Sequence, residues 1–197
     1  MCGIIGCTGV KCASEILYKG LEDLEYRGYD SAGIAVLEGG RITAVKKKGR
    51  VYALKRAAEQ LCGTSGIGHT RWATHGRPSD ENAHPHTYGG FSVVHNGIIE
   101  NYAELKEELI AEGHTFSSQT DSEVVVHLLS KYYRGDLKEA VLAAVRRLKG
   151  AFALCILCSR YEGFVAVKYR NPIIVGAGGE ALYAASDMPA LAGLAES

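Results

Sequence analysis

The chain has 197 residues and no net charge, with 22 basic against 22 acidic residues, which fits one domain or at most two small ones. Balanced charge gives no electrostatic footprint for nucleic acid or an anionic membrane, and no apolar run approaches the ~18 residues of a membrane span. The N-terminus lacks the basic and apolar segments of a signal peptide, so we expect a cytoplasmic protein whose six cysteines are free thiols.

The first part of the chain predicts strands around a single amphipathic helix. Residues 3–8 form a short apolar run typical of a buried strand, and Ser14 stands where an N-cap would open a helix that ends near Tyr26. Gly39-Gly40 indicates a hairpin. The remaining predictions here are strands over 33–37, 41–48 and 66–71 and a helix over 51–62.

Residues 72–90 show no periodicity, and a loop of that length in a compact domain is usually functional or disordered. A strand over 91–95 follows, with Asn96-Gly97 as a turn and Thr120-Asp121 as a helix cap. Asp187 is predicted to cap a last helical turn. The other elements predicted are helices over 102–112, from the cap through 129 and over 137–148, and strands over 151–157, 164–168, 173–175 and 181–185, with turns at 160–163 and 176–179.

The order of these elements predicts the fold class. Strands come in adjacent pairs and the helices collect in the middle of the chain, which favours an α+β fold with antiparallel sheets over βαβ winding.

Cys2 is the first candidate for chemistry. Removal of Met1 would place a thiol and a free α-amine on one residue, and an amine with a pKa of about 7.7–8.0 is a suitable base for that thiol. The alternative is a small buried residue that opens a strand, since free cysteine is often buried.

Two arginine segments are candidates for substrate binding. Arg71 ends a strand before the long loop, and its planar fork suits a carboxylate, although a surface ion pair is the alternative. The segment around Arg27 and Gly28 is equally consistent with a helix C-cap and a turn, in which Arg27 and Asp30 would pair with each other.

Asn96 and Gly97 offer an amide side chain and an accessible backbone N–H, the donors that an oxyanion hole needs. The alternative is a plain Asn-Gly turn. Asp121 is explained by capping alone, but its carboxylate would also complement Arg71, because the two together could hold both charged ends of an α-amino acid.

The histidine-rich part of the chain is also a candidate for a metal site. His84-Pro85-His86 lies near His69, His75 and His95 in sequence, but the spacing fits no strong zinc signature. Cys155 and Cys158 have a two-residue gap, yet positions i and i+3 of a strand point to opposite faces and should not chelate together. We therefore expect no metal and no cofactor.

Five segments taken together resemble the class II, N-terminal-nucleophile glutamine amidotransferases. They occur in the family order and the match runs to about Pro189, nearly the whole chain. The phosphoribosyl amidotransferase of purine synthesis has the same order of segments but different residues within them. The matching segments are Met1-Cys2-Gly3-Ile4-Ile5-Gly6, Tyr26-Arg27-Gly28-Tyr29-Asp30-Ser31-Ala32-Gly33, His69-Thr70-Arg71-Trp72-Ala73-Thr74-His75-Gly76, His95-Asn96-Gly97-Ile98-Ile99-Glu100-Asn101 and Thr120-Asp121-Ser122-Glu123.

The resemblance implies a four-layer αββα sandwich and a set of roles. Cys2 would attack the side-chain amide of L-glutamine, and Asn96 with Gly97 would stabilise the oxyanion. Arg71 would hold the glutamine carboxylate and Asp121 its ammonium. The remaining residues that it implies are Trp72, Thr74 and His75 on a closing loop, Arg27 and Gly28 beside the nucleophile, and His84 in the surrounding support.

The resemblance also implies partners and departures. In family members with these motifs, a sugar-phosphate isomerase domain follows the glutaminase domain in the chain. We therefore expect such an acceptor domain as a partner, and we also expect a homo-oligomer. The domain is expected to be incomplete at its C-terminal end. Tyr169-Arg170-Asn171 stands where the family usually has a lysine-glycine-serine run. A glutamine-binding domain without turnover is the rival interpretation.

Overall fold

A computed structural model describes residues 2–194 and shows two antiparallel sheets stacked face to face between helices. The strands of the described chain are β1 Gly3–Thr8, β2 Ser31–Glu38, β3 Arg41–Lys48, β4 Ser65–Arg71, β5 His86–Tyr88, β6 Phe91–Ile99, β7 Gly150–Cys158, β8 Tyr161–Tyr169, β9 Ile174–Gly178 and β10 Ala181–Ala185. The six-stranded sheet has the order β3-β2-β4-β1-β10-β9, and the four-stranded sheet the order β5-β6-β7-β8.

The helices cover the two outer faces of this sandwich. They are α1 Ala13–Asp23, α2 Lys55–Ala58, α3 Tyr102–Ala111, α4 Glu123–Tyr132 and α5 Leu137–Arg147, with 3-10 turns at Glu25–Arg27, Val51–Leu54 and Met188–Leu191. Within residues 2–194, no helix combines the length and apolar character needed to cross a membrane.

Three apolar cores define four layers. One core lies between α1 and the six-stranded sheet, a second between the two sheets, and a third between the four-stranded sheet and α3–α5. The α+β class and the αββα layering predicted from the sequence are therefore confirmed.

Strand alternation assigns each side chain to one of these cores. In β1, Ile5 and Cys7 pack toward α1 whereas Ile4 packs between the sheets. In β7, Cys155 lies between the sheets and Cys158 faces the helices, which confirms that these two thiols point to opposite faces.

The two predicted caps at Ser14 and Asp187 have different outcomes. The Ser14 cap is wrong: α1 begins at Ala13, and the Ser14 hydroxyl donates to the Leu61 carbonyl at 2.5 Å. The Asp187 cap is confirmed, because its carboxylate accepts the Met188 N–H at 2.9 Å.

The Asn96-Gly97 turn is wrong. Strand β6 continues through both residues to Ile99, with Asn96 opposite Ala153 and Gly97 opposite Phe152. Gly97 has φ +128°, a conformation that a glycine tolerates inside a ladder as well as in a turn. The dipeptide alone does not separate the two cases.

The Thr120-Asp121 cap is also wrong, because α4 begins at Glu123 and has no side-chain cap. Asp121 is instead fixed by a hydrogen bond from the Ile99 N–H at 2.8 Å. Glu123 reaches back to accept the Ser117 and Ser118 N–H groups at 2.8 and 2.7 Å, which fastens the segment before the helix.

Four further elements differ from the predictions. The helix over 51–62 is only a 3-10 turn followed by one turn of α-helix. The irregular region contains β5, and β8 begins inside the predicted 160–163 turn. Strand β9 runs through the predicted 176–179 turn to Gly178, where any side chain would meet the Leu194 carbonyl oxygen at 2.1 Å. Gly178 therefore marks a close backbone approach, and the turn itself is confined to residues 179–180.

Candidate active site

One cavity of about 340 Å³ opens at the end of the sandwich where the two sheets meet. Its volume lies within the ~300–1,000 Å³ typical of ligand pockets. It is lined by ten of the eleven candidate residues, namely Cys2, Arg27, Arg71, Trp72, Thr74, His75, His84, Asn96, Gly97 and Asp121.

The two-residue period of the strands explains why these side chains converge. Ile4, Ile67 and Val94 all pack between the sheets. Continuing each strand by two or four residues in the direction of the cavity gives Cys2 before β1, His69 and Arg71 in β4, and Asn96 in β6. The apolar inter-sheet core and the polar cavity are therefore successive parts of the same layer.

The Cys2 thiol lies against the backbone of the residue after β4. Its Sγ accepts a hydrogen bond from the Trp72 N–H at 3.2 Å and lies 3.6 Å from the Trp72 carbonyl oxygen. Burial raises the pKa of the Cys2 thiol above its ordinary value, and the Trp72 hydrogen bond opposes that shift only in part. A thiol in this environment needs a base before it can act as a nucleophile.

Asn96 and Arg27 both contact the backbone of Cys2. The Asn96 Nδ2 donates to the Cys2 carbonyl oxygen at 3.0 Å, and Arg27 Nε donates to the same oxygen at 3.1 Å. Arg27 also forms an ion pair with Asp187 at 2.6 Å. The predicted alternative of an Arg27–Asp30 pair is wrong, because Asp30 accepts the Ala73 N–H instead.

Arg71 is 4% exposed, so the surface ion-pair interpretation is wrong. Its Nη2 donates to the carbonyl oxygens of His75 and, at 2.9 Å, Gly76, which ties the loop after β4 to the guanidinium. Its Nη1 is buried and has no hydrogen-bond partner within the described chain. A buried guanidinium nitrogen without a partner in a cavity wall is suited to an incoming carboxylate.

Asp121 lies on the same cavity and is also 4% exposed. One carboxylate oxygen accepts from the Ile99 N–H at 2.8 Å, and the other accepts from the Ser122 hydroxyl at 3.3 Å. A buried carboxylate is costly without a cationic partner, so this position suits a ligand ammonium.

Four histidines form a buried cluster, and three of them, His69, His84 and His95, line the cavity. His69 and His84 stack with ring centroids 4.2 Å apart, and His84 Nδ1 accepts the His95 N–H at 3.1 Å. Burial lowers the pKa values of His69 and His86 to about 3 and that of His95 to about 4, so all three rings are neutral near pH 7. Among residues 2–194, no three His, Cys, Asp or Glu side chains are arranged to hold a metal ion.

Gly28 is the one candidate residue that lies outside the cavity wall. A side chain at this position would meet the backbone of Arg71 and Trp72 at 2.6–2.8 Å. Gly28 therefore permits the close approach of the 27–28 segment to the end of β4, and it acts on the site through that backbone.

Sequence reasoning missed several residues that also line the cavity. Asn171 donates from Nδ2 to the Asn96 carbonyl oxygen at 2.9 Å, next to the Gly97 N–H. The preceding Arg170 has φ +65°, so the unusual Tyr169-Arg170-Asn171 sequence lies where the backbone adopts a left-handed conformation. The departure from the family run was the available signal for Asn171. The other missed lining residues include His95, Ile98, Thr120, Ser122 and Pro172.

Comparison with known proteins agrees with this architecture. A family model described as a glutamine amidotransferase domain matches residues 69–193. The chain is 54% identical over 196 residues to glutamine–fructose-6-phosphate aminotransferase (isomerizing) of Aquifex aeolicus, which covers 97% of this chain and 33% of that protein. The corresponding protein of Clostridium tetani is 53% identical, with 97% and 32% covered.

A solved structure shares the fold across almost the whole chain. Glutamine phosphoribosylpyrophosphate amidotransferase from B. subtilis, complexed with ADP and GMP, superimposes with a TM-score of 0.86 at 30% identity. The match covers 96% of this chain and 43% of that one. The chain spans about a third of the length of the curated relatives it matches. On the family model, the relatives and the shared fold, this chain belongs to the glutamine amidotransferase domain family.

Proposed function

We propose that residues 1–197 form a glutaminase domain that hydrolyses L-glutamine to glutamate and ammonia through a thioester on Cys2. The observation that carries this proposal is the contact between nucleophile residue and oxyanion donor. Asn96 Nδ2 donates to the Cys2 carbonyl at 3.0 Å, and the Cys2 thiol and the Asn96 amide line one cavity.

The reaction needs a base, and within the described chain the hydrogen bonds of the Cys2 thiol go to the Trp72 backbone and not to a side chain. Since burial raises the thiol pKa, the proton must leave as attack occurs. Removal of Met1 would expose a Cys2 α-amine with a pKa of about 7.7–8.0, which accepts that proton at cellular pH. The same ammonium then returns the proton to the departing ammonia.

Attack of Sγ on the side-chain carbonyl carbon of glutamine forms a C–S bond and places negative charge on the carbonyl oxygen. Asn96 Nδ2 and the Gly97 N–H would donate to that oxygen. Collapse breaks the C–N bond and releases ammonia, and water then hydrolyses the thioester to glutamate and regenerates the thiol.

Recognition of the α-amino acid end would come from the two buried charges. Arg71 Nη1 would take the carboxylate and Asp121 the ammonium. Trp72, Thr74 and His75 stand on the loop that Arg71 holds by its backbone carbonyls, so substrate binding at Arg71 would order the same loop.

We further propose that the ammonia serves fructose-6-phosphate in a sugar-phosphate isomerase domain outside this chain. The relatives named glutamine–fructose-6-phosphate aminotransferase support this acceptor, since they are 53–54% identical and about three times as long. The phosphoribosylpyrophosphate amidotransferase shares the fold at only 30% identity.

The test is glutamine turnover by protein whose intact mass shows that Met1 is absent. We expect equal release of glutamate and ammonia, loss of both in Cys2→Ala, and loss of both in protein that retains Met1. A Cys2→Ala variant with unchanged turnover would exclude the mechanism. A melting temperature raised by glutamine without any ammonia release would instead indicate a binding domain.

A further inference from the structure

The hydrogen bonds of His69 determine which way the Asn96 amide faces. His69 is 1% exposed and extends from β4 toward β6. Its Nε2 lies 2.9 Å from the His95 carbonyl oxygen and 3.0 Å from Asn96 Oδ1. A carbonyl oxygen can only accept, so Nε2 must carry the hydrogen and the ring is the Nε2–H tautomer.

This tautomer leaves one orientation of the Asn96 amide. The atom of Asn96 that faces Nε2–H must be the acceptor Oδ1, because the reversed amide would set an N–H₂ group against an N–H group. Nδ2 is then directed to the opposite side, where it donates to the Cys2 carbonyl at 3.0 Å. The proposed oxyanion donor therefore points into the cavity.

The surroundings hold the His69 ring itself in place. Its plane lies 23° from that of His84, with the ring centroids 4.2 Å apart. His84 is anchored in turn by the His95 N–H at 3.1 Å. His69 Nδ1 is buried and has no hydrogen-bond partner in the described chain, so no competing acceptor or donor turns the ring.

We propose that His69 is a positioning residue of the glutaminase reaction, whose Nε2–H holds the Asn96 amide with its donor toward the reacting carbonyl. This inference rests on the proposed function. Within the described chain, the hydrogen bonds of His69 go to the His95 carbonyl and to Asn96, and none goes to the Cys2 thiol, Arg71 or Asp121. Its removal should therefore affect the transition state more than substrate binding.

The main experiment is a double-mutant cycle between His69 and Asn96. His69→Leu should lower kcat for glutamine hydrolysis about 10- to 100-fold, since loss of one oxyanion donor costs about 10²–10³-fold and a free amide still faces the cavity part of the time. KM for glutamine should change less than about threefold, because Arg71 and Asp121, the proposed binding groups for the two charged ends of glutamine, are intact.

In the Asn96→Ala background, His69→Leu should lower kcat no further, because no amide remains to be oriented. His69→Gln should recover most of the lost rate, because its Nε2 donor reaches a similar point. Losses that add in the double variant, or an unchanged kcat in His69→Leu, would overturn the proposal. Should His69→Leu fail to give a cooperative melt, His69→Asn takes its place in the cycle, since its shorter amide cannot reach Asn96.

A second readout does not depend on turnover. Nitrogen-15 NMR of the wild-type protein at pH 7 should show His69 as a neutral ring with its proton on Nε2. A proton on Nδ1 would overturn the positioning role even if glutamine is hydrolysed. A wild-type protein that shows the Nε2–H tautomer but releases no ammonia would refute the glutaminase proposal, and the positioning role would fall with it.

Discussion

Gly97→Ala is a direct test of how the fold builds the proposed oxyanion site. At φ +128° a side chain adds about 1–2 kcal/mol of backbone strain. The new Cβ would also lie 2.0 Å from the Ala151 carbonyl oxygen and 2.6 Å from Asn171 Nδ2, so strand β7 or the Asn171 side chain must shift. Overpacking of this kind costs about 1–3 kcal/mol, which gives about 2–5 kcal/mol in total.

Gly135→Ala provides the matched control. Gly135 has φ +105°, but an added Cβ meets nothing within 4 Å, so only the backbone cost of about 1–2 kcal/mol applies. For a domain of this size each kcal/mol shifts the unfolding midpoint by about 2–4 °C. We therefore expect a fall of about 4–20 °C for Gly97→Ala and about 2–8 °C for Gly135→Ala.

The assay is thermal unfolding followed by glutamine turnover at a temperature where both variants remain folded. Gly97→Ala should lose most of its turnover, because the displaced ladder moves the residue-97 N–H away from the reacting oxygen. Gly135→Ala should keep wild-type turnover. Equal midpoints for the two variants, together with full activity in Gly97→Ala, would refute this reasoning about the β6–β7 ladder.

Three further predictions concern binding, pH and thiol chemistry. Arg71→Lys should raise KM for glutamine about 10- to 100-fold, since an ammonium replaces the planar guanidinium and one charged hydrogen bond, worth about 1.5–3 kcal/mol, is lost. Steady-state kinetics measure KM, and an unchanged value would exclude the proposed role of Arg71 in binding the carboxylate. The free energy of unfolding should fall as pH drops from about 6.5 toward 4, because His69, His86 and His95 bind protons in the unfolded chain but stay neutral in the folded one. Each of these rings should lower it by about 1.4 kcal/mol per pH unit. Thermal melts at pH 7 and pH 5 measure this effect, and equal midpoints would contradict the neutral state of the three rings. An alkylating reagent should modify exposed Cys62 in the native protein but should reach the buried thiols of Cys7, Cys155 and Cys158 only after unfolding. Peptide mass spectrometry identifies the modified cysteines. Modification of the three buried cysteines in the native protein would contradict their packing.

The fold was predictable where a pattern has one physical meaning. The apolar strand that begins at Gly3 and the helices after Tyr102 follow from periodicity, and the order of the elements predicted antiparallel sheets. The four-layer arrangement was implied by the family resemblance. The motifs also predicted ten residues that line the cavity, because those residue types have few uses together; their roles stay predictions.

The sequence could not resolve features that depend on distant partners. Asn96-Gly97 is a turn in isolation and becomes part of a strand only because β7 pairs with it. Asp121 has the sequence context of a helix cap, but its carboxylate accepts a hydrogen bond from the Ile99 N–H at the end of strand β6. Asn171 contacts Asn96 from 75 positions away, and no local pattern encodes that contact.

The covalent intermediate on Cys2 is the central claim, and its capture is the most direct measurement. Protein lacking Met1 is mixed with glutamine, quenched in acid within one turnover and digested, and the N-terminal peptide is analysed by mass spectrometry. We predict that this peptide carries one glutamyl group on Cys2 and that a glutamine-free sample does not. Rapid release of ammonia with an unmodified Cys2 peptide throughout the turnover, or a glutamyl group on another residue, would contradict the account.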